Sequence, residues 1–212
     1  MIRVLLVDDH TLVREGLSQL LNAEDDIEVV GETGSGRAAL QLCDELDPDV
    51  VLLDYVLEDS DGLETTSRLV AQKSRARILV LTMYANEEYA TRLLRAGASG
   101  FLVKGACTDE LLHAVRAVAA RRTYVTPSIQ EKMIARIGQP QADLPEGVLS
   151  NRELQVLIRL ARGFSTREVA DELGISRSTA ESHRAKVLEK LNLRNNADMT
   201  RFAIKRGLVG LD

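Results

Sequence analysis

Asp54 closes the run Val50-Val51-Leu52-Leu53-Asp54, in which four apolar, β-forming residues lie between Pro48-Asp49 and a carboxylate. Such a run reads as a short strand buried on both faces, of the kind a parallel sheet uses. Ligands of an open parallel sheet bind beyond the carboxyl ends of its strands, which places Asp54 at the mouth of a crevice. Three more runs end on polar residues: Ile2 to Val7 on Asp8-Asp9, Arg77 to Leu81 on Thr82, and Gly100 to Val103 on Lys104. Three crowded carboxylates repel one another, and a hard divalent cation offsets that. Mg²⁺ characteristically takes one or two carboxylates, keeps several waters and shares a phosphate. Asp8, Asp9 and Asp54 would hold it. Asp54 is then a nucleophile able to attack a phosphoryl group and carry it as an aspartyl phosphate, with the cation neutralising developing charge. Lys104 would add a second positive charge for the phosphoryl oxygens, and the Thr82 hydroxyl a hydrogen bond. Taken singly, an Asp pair is often a helix cap, a threonine a turn former and a lysine a solvated cation. Four strand ends that deliver them together call for a common purpose.

The elements that position these residues follow from periodicity. From Met1 to about Ala120 strands alternate with helices. Leu12, Leu17, Leu20 and Leu21 make the first helical stripe, Ile27 to Gly31 a second strand, and Gly36 to Leu46 a helix ended by Pro48. Leu63, Leu69 and Val70 mark the helix after Asp54; Asn86 would cap a helix over Glu87 to Ala96, stopped by Gly97; and Thr108-Asp109-Glu110 opens the last. Five strands alternating with five helices imply right-handed crossovers and an α/β doubly wound, five-stranded parallel sheet. Pro127 would start a short helix, which fades into Gly138 to Gly147, a stretch with two prolines, two glycines and no periodicity. Residues 125–149 therefore read as a linker with a possible short helix, between a first domain over 1–124 and a second over 150–212.

The second domain reads as all helical. Ser150 with Glu153, and Ser165 with Glu168, fit the capping box, and Gly163 and Gly174 fall where helices should stop. Helix, short glycine-containing turn, helix is the helix-turn-helix arrangement, whose second helix enters the major groove of double-stranded DNA. That helix would run from about Arg177 to Leu191, with a last helix ending near Gly207. Glu181, Ser182 and Ala185 would point outward to the bases, with Ser178 beside them, and Arg167, Arg177, Arg184 and Lys186 would meet phosphates. His183 is assigned to packing. Glu181 needs a partner, because an acid near DNA costs attraction.

Composition is consistent with this division. The 212 residues are 45% apolar and 28% charged, as in a globular protein. Residues 1–125 hold 13 basic and 21 acidic residues, a net of −8, whereas residues 150–212 hold 12 and 8, a net of +4. An acidic front suits a metal ion and a basic tail suits a polyanion. No apolar run approaches the ~20 residues of a membrane span, and Met1-Ile2-Arg3 leads directly into a strand, so the chain is expected in the cytoplasm, away from membrane. Cys43 and Cys107 lack metal-ligand spacing and read as ordinary reduced thiols.

Val7-Asp8-Asp9-His10, Leu53-Asp54 with Asp61-Gly62, Leu81-Thr82, and Gly97 to Lys104 together resemble the receiver domain of two-component response regulators, a flavodoxin-like fold. The C-terminal half resembles the LuxR-type helix-turn-helix, so the whole chain is similar to the NarL/FixJ group of transcriptional regulators. The resemblance implies that a sensor histidine kinase phosphorylates Asp54, that the Val56 backbone carbonyl completes the metal site, and that Thr82 and Phe101 move on phosphorylation. A symmetric homodimer on paired half-sites is the geometry such a reader uses. Three positions depart from the common receiver pattern. Glu58 replaces a frequent proline, which suggests a more mobile and more acidic loop. Gly105 replaces the proline after the lysine, which argues against a cis bond there. Phe101 lacks the hydroxyl of the commoner tyrosine. Val56 and Tyr84 border the path of hydrolytic water in receivers; Val56 cannot orient one and Tyr84 would shield the phosphate, so the phospho-form should hydrolyse slowly, and faster in Val56→Asn or Tyr84→Ala. Two rival readings stand beside this one. A metal-dependent phosphohydrolase would leave the basic tail unexplained, and a phosphorylation-independent DNA-binding regulator would use its acidic domain for a ligand or partner.

Overall fold

The computed structural model describes residues 1–57, 59–60, 62–83, 87–135, 149–205 and 208–209. Glu58, Asp61, Tyr84, Asn86, Gly207 and the stretch from Gly138 to Gly147, to which expectations were attached above, lie outside them. Two compact units divide the chain, Met1–Gln139 and Pro140–Asp212.

The first unit alternates strand and helix as the periodicity requires: β1 (Ile2–Val7), α1 (Thr11–Asn22), β2 (Ile27–Thr33), α2 (Gly36–Leu46), β3 (Val50–Asp54), α3 (Gly62–Ala71), β4 (Arg77–Thr82), α4 (Glu87–Arg95), β5 (Gly100–Val103) and α5 (Thr108–Ala119). The five strands are parallel, and a short sixth, β6 (Tyr124–Val125), extends the sheet to the order β2-β1-β3-β4-β5-β6. It is followed by α6 (Pro127–Ala135), which packs against α4. The helix expected in the linker therefore belongs with the first unit.

Strand alternation explains where the polar ends point. Val4, Leu6, Val50, Leu52, Leu79, Leu81 and Leu102 share one core with Leu21 of α1 and Leu111, Leu112, Val115 and Val118 of α5. Side chains two residues apart lie on one face of a strand, so Asp8 continues the row of Leu6, Asp54 that of Leu52, and Lys104 that of Leu102. Thr82 has the opposite parity and shares the other face with Val80 and its β5 partner Phe101.

The second unit is built of α7 (Asn151–Ala161), α8 (Thr166–Glu172), α9 (Arg177–Lys190) and α10 (Asn196–Lys205). Both expected capping boxes form: the Ser150 and Ser165 hydroxyls accept from the backbone N–H of Glu153 and Glu168, whose carboxylates accept from the N–H of the serines in return. Gly163 (φ +94°) and Gly174 (φ +61°) turn the chain in the left-handed region, where a Cβ is unfavourable. Val169 and Ala170 of α8 with Leu173 at its C-terminal cap, Ala180 and Val187 of α9, and Met199 and Ala203 of α10 are buried. Among the described residues, no helix is long and apolar enough to cross a membrane.

Candidate functional site

The strand ends bring the expected acidic pocket together. Asp8 is 2% exposed and Asp54 4%, and Lys104 Nζ lies 2.8 Å from Asp8 Oδ2 and 2.8 Å from Asp54 Oδ2. Burial pushes the Asp54 carboxyl up to about 6, because a desolvated carboxylate loses its hydration; Lys104 opposes the shift, while Asp8 and Asp9 add to it. Burial would lower the Lys104 ammonium, but Asp54 and Asp8 together hold it above its ordinary value. The second oxygen of Asp8 accepts from the backbone N–H of His10 at 2.9 Å.

Asp9 completes the set. Its Oδ1 is enclosed and accepts no hydrogen bond, although His10 Nδ1 lies 2.7 Å away and forms an ion pair with it when the imidazole is protonated. Ligand atoms from Asp8, Asp9, His10 and Asp54 all lie within 4.8 Å of one another. Three carboxylates gathered this closely are a donor set that fits a hard divalent cation. Bound there, such an ion neutralises charge on the carboxylates and on phosphoryl oxygens.

Beyond Asp54 the chain makes a tight loop. Tyr55 N–H donates to Leu81 O (2.8 Å), Gly62 N–H to Tyr55 O (2.8 Å) and Leu57 N–H to Ser60 O (3.3 Å). Val56 is half-buried within it. Asp59 reaches the start of α2, where Oδ1 accepts from Gly36 N–H at 2.9 Å and Oδ2 from Arg37 N–H at 3.2 Å and Ser35 Oγ at 2.7 Å. Partial burial acts to raise its carboxyl, but the Ser35 hydroxyl and these N–H groups outweigh burial and hold it below the ordinary range. A carboxylate that finds three donors at a helix start ties Asp59 to α2. Sequence carries no signal for this pairing, because the partners are 22 to 24 residues apart and on different elements.

Thr82 and Phe101 are both buried. Thr82 O accepts from Lys104 N–H at 2.6 Å. Phe101 O accepts from Thr126 N–H at 3.0 Å, and Val103 N–H donates to Thr126 Oγ1 at 3.1 Å, so the residue after β6 fastens the strand that holds Phe101. Gly105 takes φ +110°, which the proline ring of common receivers cannot adopt, and no described peptide bond is cis.

On the helix-turn-helix, Arg167, Arg177, Ser178, Glu181, Ser182, Ala185 and Lys186 are exposed, and Arg184 is half-buried. Glu181 has the partner it needed, since Arg177 Nε donates to it at 3.0 Å one helical turn away. Arg184 Nε is turned to Asn196 Oδ1 at 2.8 Å, at the start of α10. Ser178 Oγ lies 2.8 Å from Ser176 Oγ, within the cap of α9. His183 is half-buried with Nδ1 enclosed. Two ion pairs tie the helices beneath this surface: Lys190 to Glu153 at 2.7 Å and Arg159 to Glu172 at 2.8 Å. Burial acts to raise the Glu153 carboxyl, but Lys190 and the Ser150 N–H hold it below the ordinary range. The capping role of Glu153 is legible in the sequence; its pairing with a residue two helices later is not.

Comparison with known proteins gives the same division. Residues 4–116 match the response regulator receiver domain, and residues 147–203 match the LuxR family of bacterial regulatory proteins. The chain is 36% identical over 209 residues to the response regulator GacA of Pseudomonas protegens, covering 99% of this chain and 98% of that one. It is 34% identical over 213 residues to the response regulator UvrY of Escherichia coli, covering 100% and 98%. The crystal structure of the response regulator ChrA, of a heme-sensing two-component system, matches with a TM-score of 0.54 and 32% identity over 98% of both chains.

Proposed function

We propose a residue-level mechanism for this chain, which belongs to the two-component response regulators that join a receiver domain to a LuxR-type DNA-binding domain. The family is one of transcription regulators and not of turnover enzymes, so the phosphohydrolase reading falls away. In the mechanism, Asp54 accepts the phosphoryl group of a sensor histidine kinase. An Asp54 oxygen bonds to phosphorus as the phosphorus–nitrogen bond of the phosphohistidine breaks, and the departing imidazole regains a proton. Lys104 exchanges its contact with Asp54 Oδ2 for the incoming phosphoryl oxygens while keeping Asp8. Asp8, Asp9 and Asp54, with the Val56 carbonyl, hold Mg²⁺, which supplies charge neutralisation in the pocket. The Thr82 hydroxyl turns to the phosphoryl group and Phe101 repacks, which shifts the population of states toward a homodimer on DNA. Ser182 and Ala185 read bases, Glu181 does so from its pairing with Arg177, and Arg167, Arg177, Arg184 and Lys186 hold phosphates, with Ser178 at the helix start. Residues 1–124 together with β6 and α6 act as receiver, the rest of the 125–149 stretch as linker and residues 150–212 as reader, in the cytoplasm.

One observation carries this reading: Lys104 Nζ stands 2.8 Å from both Asp8 and Asp54 in a pocket to which Asp9 adds a third carboxylate. The test is the intact mass of the chain after incubation with a small phosphodonor, with and without Mg²⁺, for the wild type and Asp54→Ala. A magnesium-dependent gain of one phosphoryl group that disappears in Asp54→Ala is the expected result. No adduct on the wild type, or DNA binding indifferent to donor and to Asp54, would instead leave a regulator that works without phosphorylation.

A further inference from the structure

The carbonyl assigned to the cation site belongs to the peptide that joins Val56 to Leu57, and its direction is fixed by an interaction on the other side of that peptide. A trans peptide is planar, so its C=O points opposite to its N–H. Leu57 N–H is directed at Ser60 O (3.3 Å), and the Val56 carbonyl therefore points away from Ser60. Whatever holds Ser60 aims that carbonyl.

Ser60 is held from α2. Its neighbour Asp59 accepts from two of the free N–H groups of the first turn, those of Gly36 and Arg37, and from the Ser35 hydroxyl. Ser35 itself caps the next N–H, of Ala38, at 3.1 Å. A helix start attracts negative charge and leaves its first N–H groups without partners inside the helix. Here a carboxylate on a separate loop fills that need. The fit is close: a Cβ on Gly36 would lie 2.0 Å from Ser60 Oγ, 2.6 Å from Thr65 Oγ1 and 3.2 Å from Leu57 Cδ1, so α2 and the loop touch where only glycine is accommodated. Ser60 Oγ is further tied to Thr65 Oγ1 at 2.9 Å, at the opening of α3.

We propose that Asp59 is a positioning residue for cation binding: its clamp on α2 fixes Ser60, Ser60 fixes the Leu57 N–H, and the shared peptide plane thereby aims the Val56 carbonyl into the pocket. The inference rests on the assignment of that carbonyl to the cation. Outer partners that orient metal ligands change affinity far more than their distance from the metal suggests.

The test is calorimetric titration of the unphosphorylated full chain with Mg²⁺ alone, with thermal melting alongside. Asp59→Ala should lower Mg²⁺ affinity about 10-fold. It should slow phosphoryl uptake at limiting Mg²⁺ and recover the wild-type rate at saturating Mg²⁺. Asp59→Asn retains one acceptor for Gly36 N–H and should lose less. Gly36→Ala presses Ser60 from the helix side and should lower the affinity by an independent route. Arg116→Ala breaks the pairs with Glu24 and Asp26 at the end of the parallel sheet away from the pocket, so it should lower the melting temperature with Mg²⁺ affinity unchanged. Wild-type affinity in both Asp59→Ala and Gly36→Ala overturns the proposal, as does a loss of affinity in Arg116→Ala that tracks the loss of stability. A wild type that takes neither Mg²⁺ nor a phosphoryl group overturns the assignment of the cation site itself, and the role of Asp59 with it.

Discussion

Charges are used in opposite ways in the two units. In the receiver pocket Asp8, Asp54 and Lys104 are largely withdrawn from water and locked to one another by strand geometry. On α9 the charges stand in solvent, and the Arg177–Glu181 pair links two side chains that are 71% and 54% exposed. Buried charges interact strongly and tolerate no missing partner, whereas exposed pairs contribute little. The pocket should therefore fail all at once and the DNA surface by increments.

The largest effect expected is total. Asp54→Ala leaves no nucleophile, and intact mass should show no phosphoryl adduct at any donor concentration. Lys104→Met removes the cation between Asp8 and Asp54 at similar volume, and the rate of uptake should fall about 100-fold, the scale for losing one preorganised charge stabiliser. A Lys104→Met rate near that of the wild type would break the contrast at its strongest point. Single changes on α9 should do far less. Lys186→Ala should weaken binding to all DNA sequences alike and reduce the slope of log K against log salt by about 1. Selective loss for one sequence would instead make Lys186 a base reader.

The smallest effect expected is on stability. The Glu153 carboxyl is held below the ordinary range in the folded chain. Its contribution is therefore complete above the unfolded value of about 4.3 and is lost as pH falls through the lower folded value. Glu153→Gln keeps a side-chain acceptor for the Ser150 N–H but gives up the charge opposite Lys190, at a cost of about 1 kcal/mol at pH 7. Melting curves of wild type and Glu153→Gln should converge as pH drops below 4.3, roughly the unperturbed carboxylate value. A constant difference down to low pH would show that packing, and not charge, makes the contribution.

What the sequence reveals follows from the range of each interaction. The five main strands and their polar ends are legible because period-2 burial and chain direction are local properties that the sheet only assembles. Both capping boxes are legible because their partners lie three residues apart, and the Arg177–Glu181 pair was equally open to view at i,i+4. The two residues of β6 are too few to show a period, and Tyr124–Val125 become a strand only because the edge of β5 is there to pair with. Asp59 is hidden for the same reason. The sequence shows an acid five residues after Asp54, but only the fold brings the start of α2 to it.

The bonds at Thr126 bear on how such modules can be recombined. A chimera spliced directly after α5 would discard β6, and with it the donor to Phe101 O and the acceptor for Val103 N–H. The outer edge of β5 would then lie open as a template for a neighbouring chain. A graft that retains residues through Ala135 keeps that edge closed.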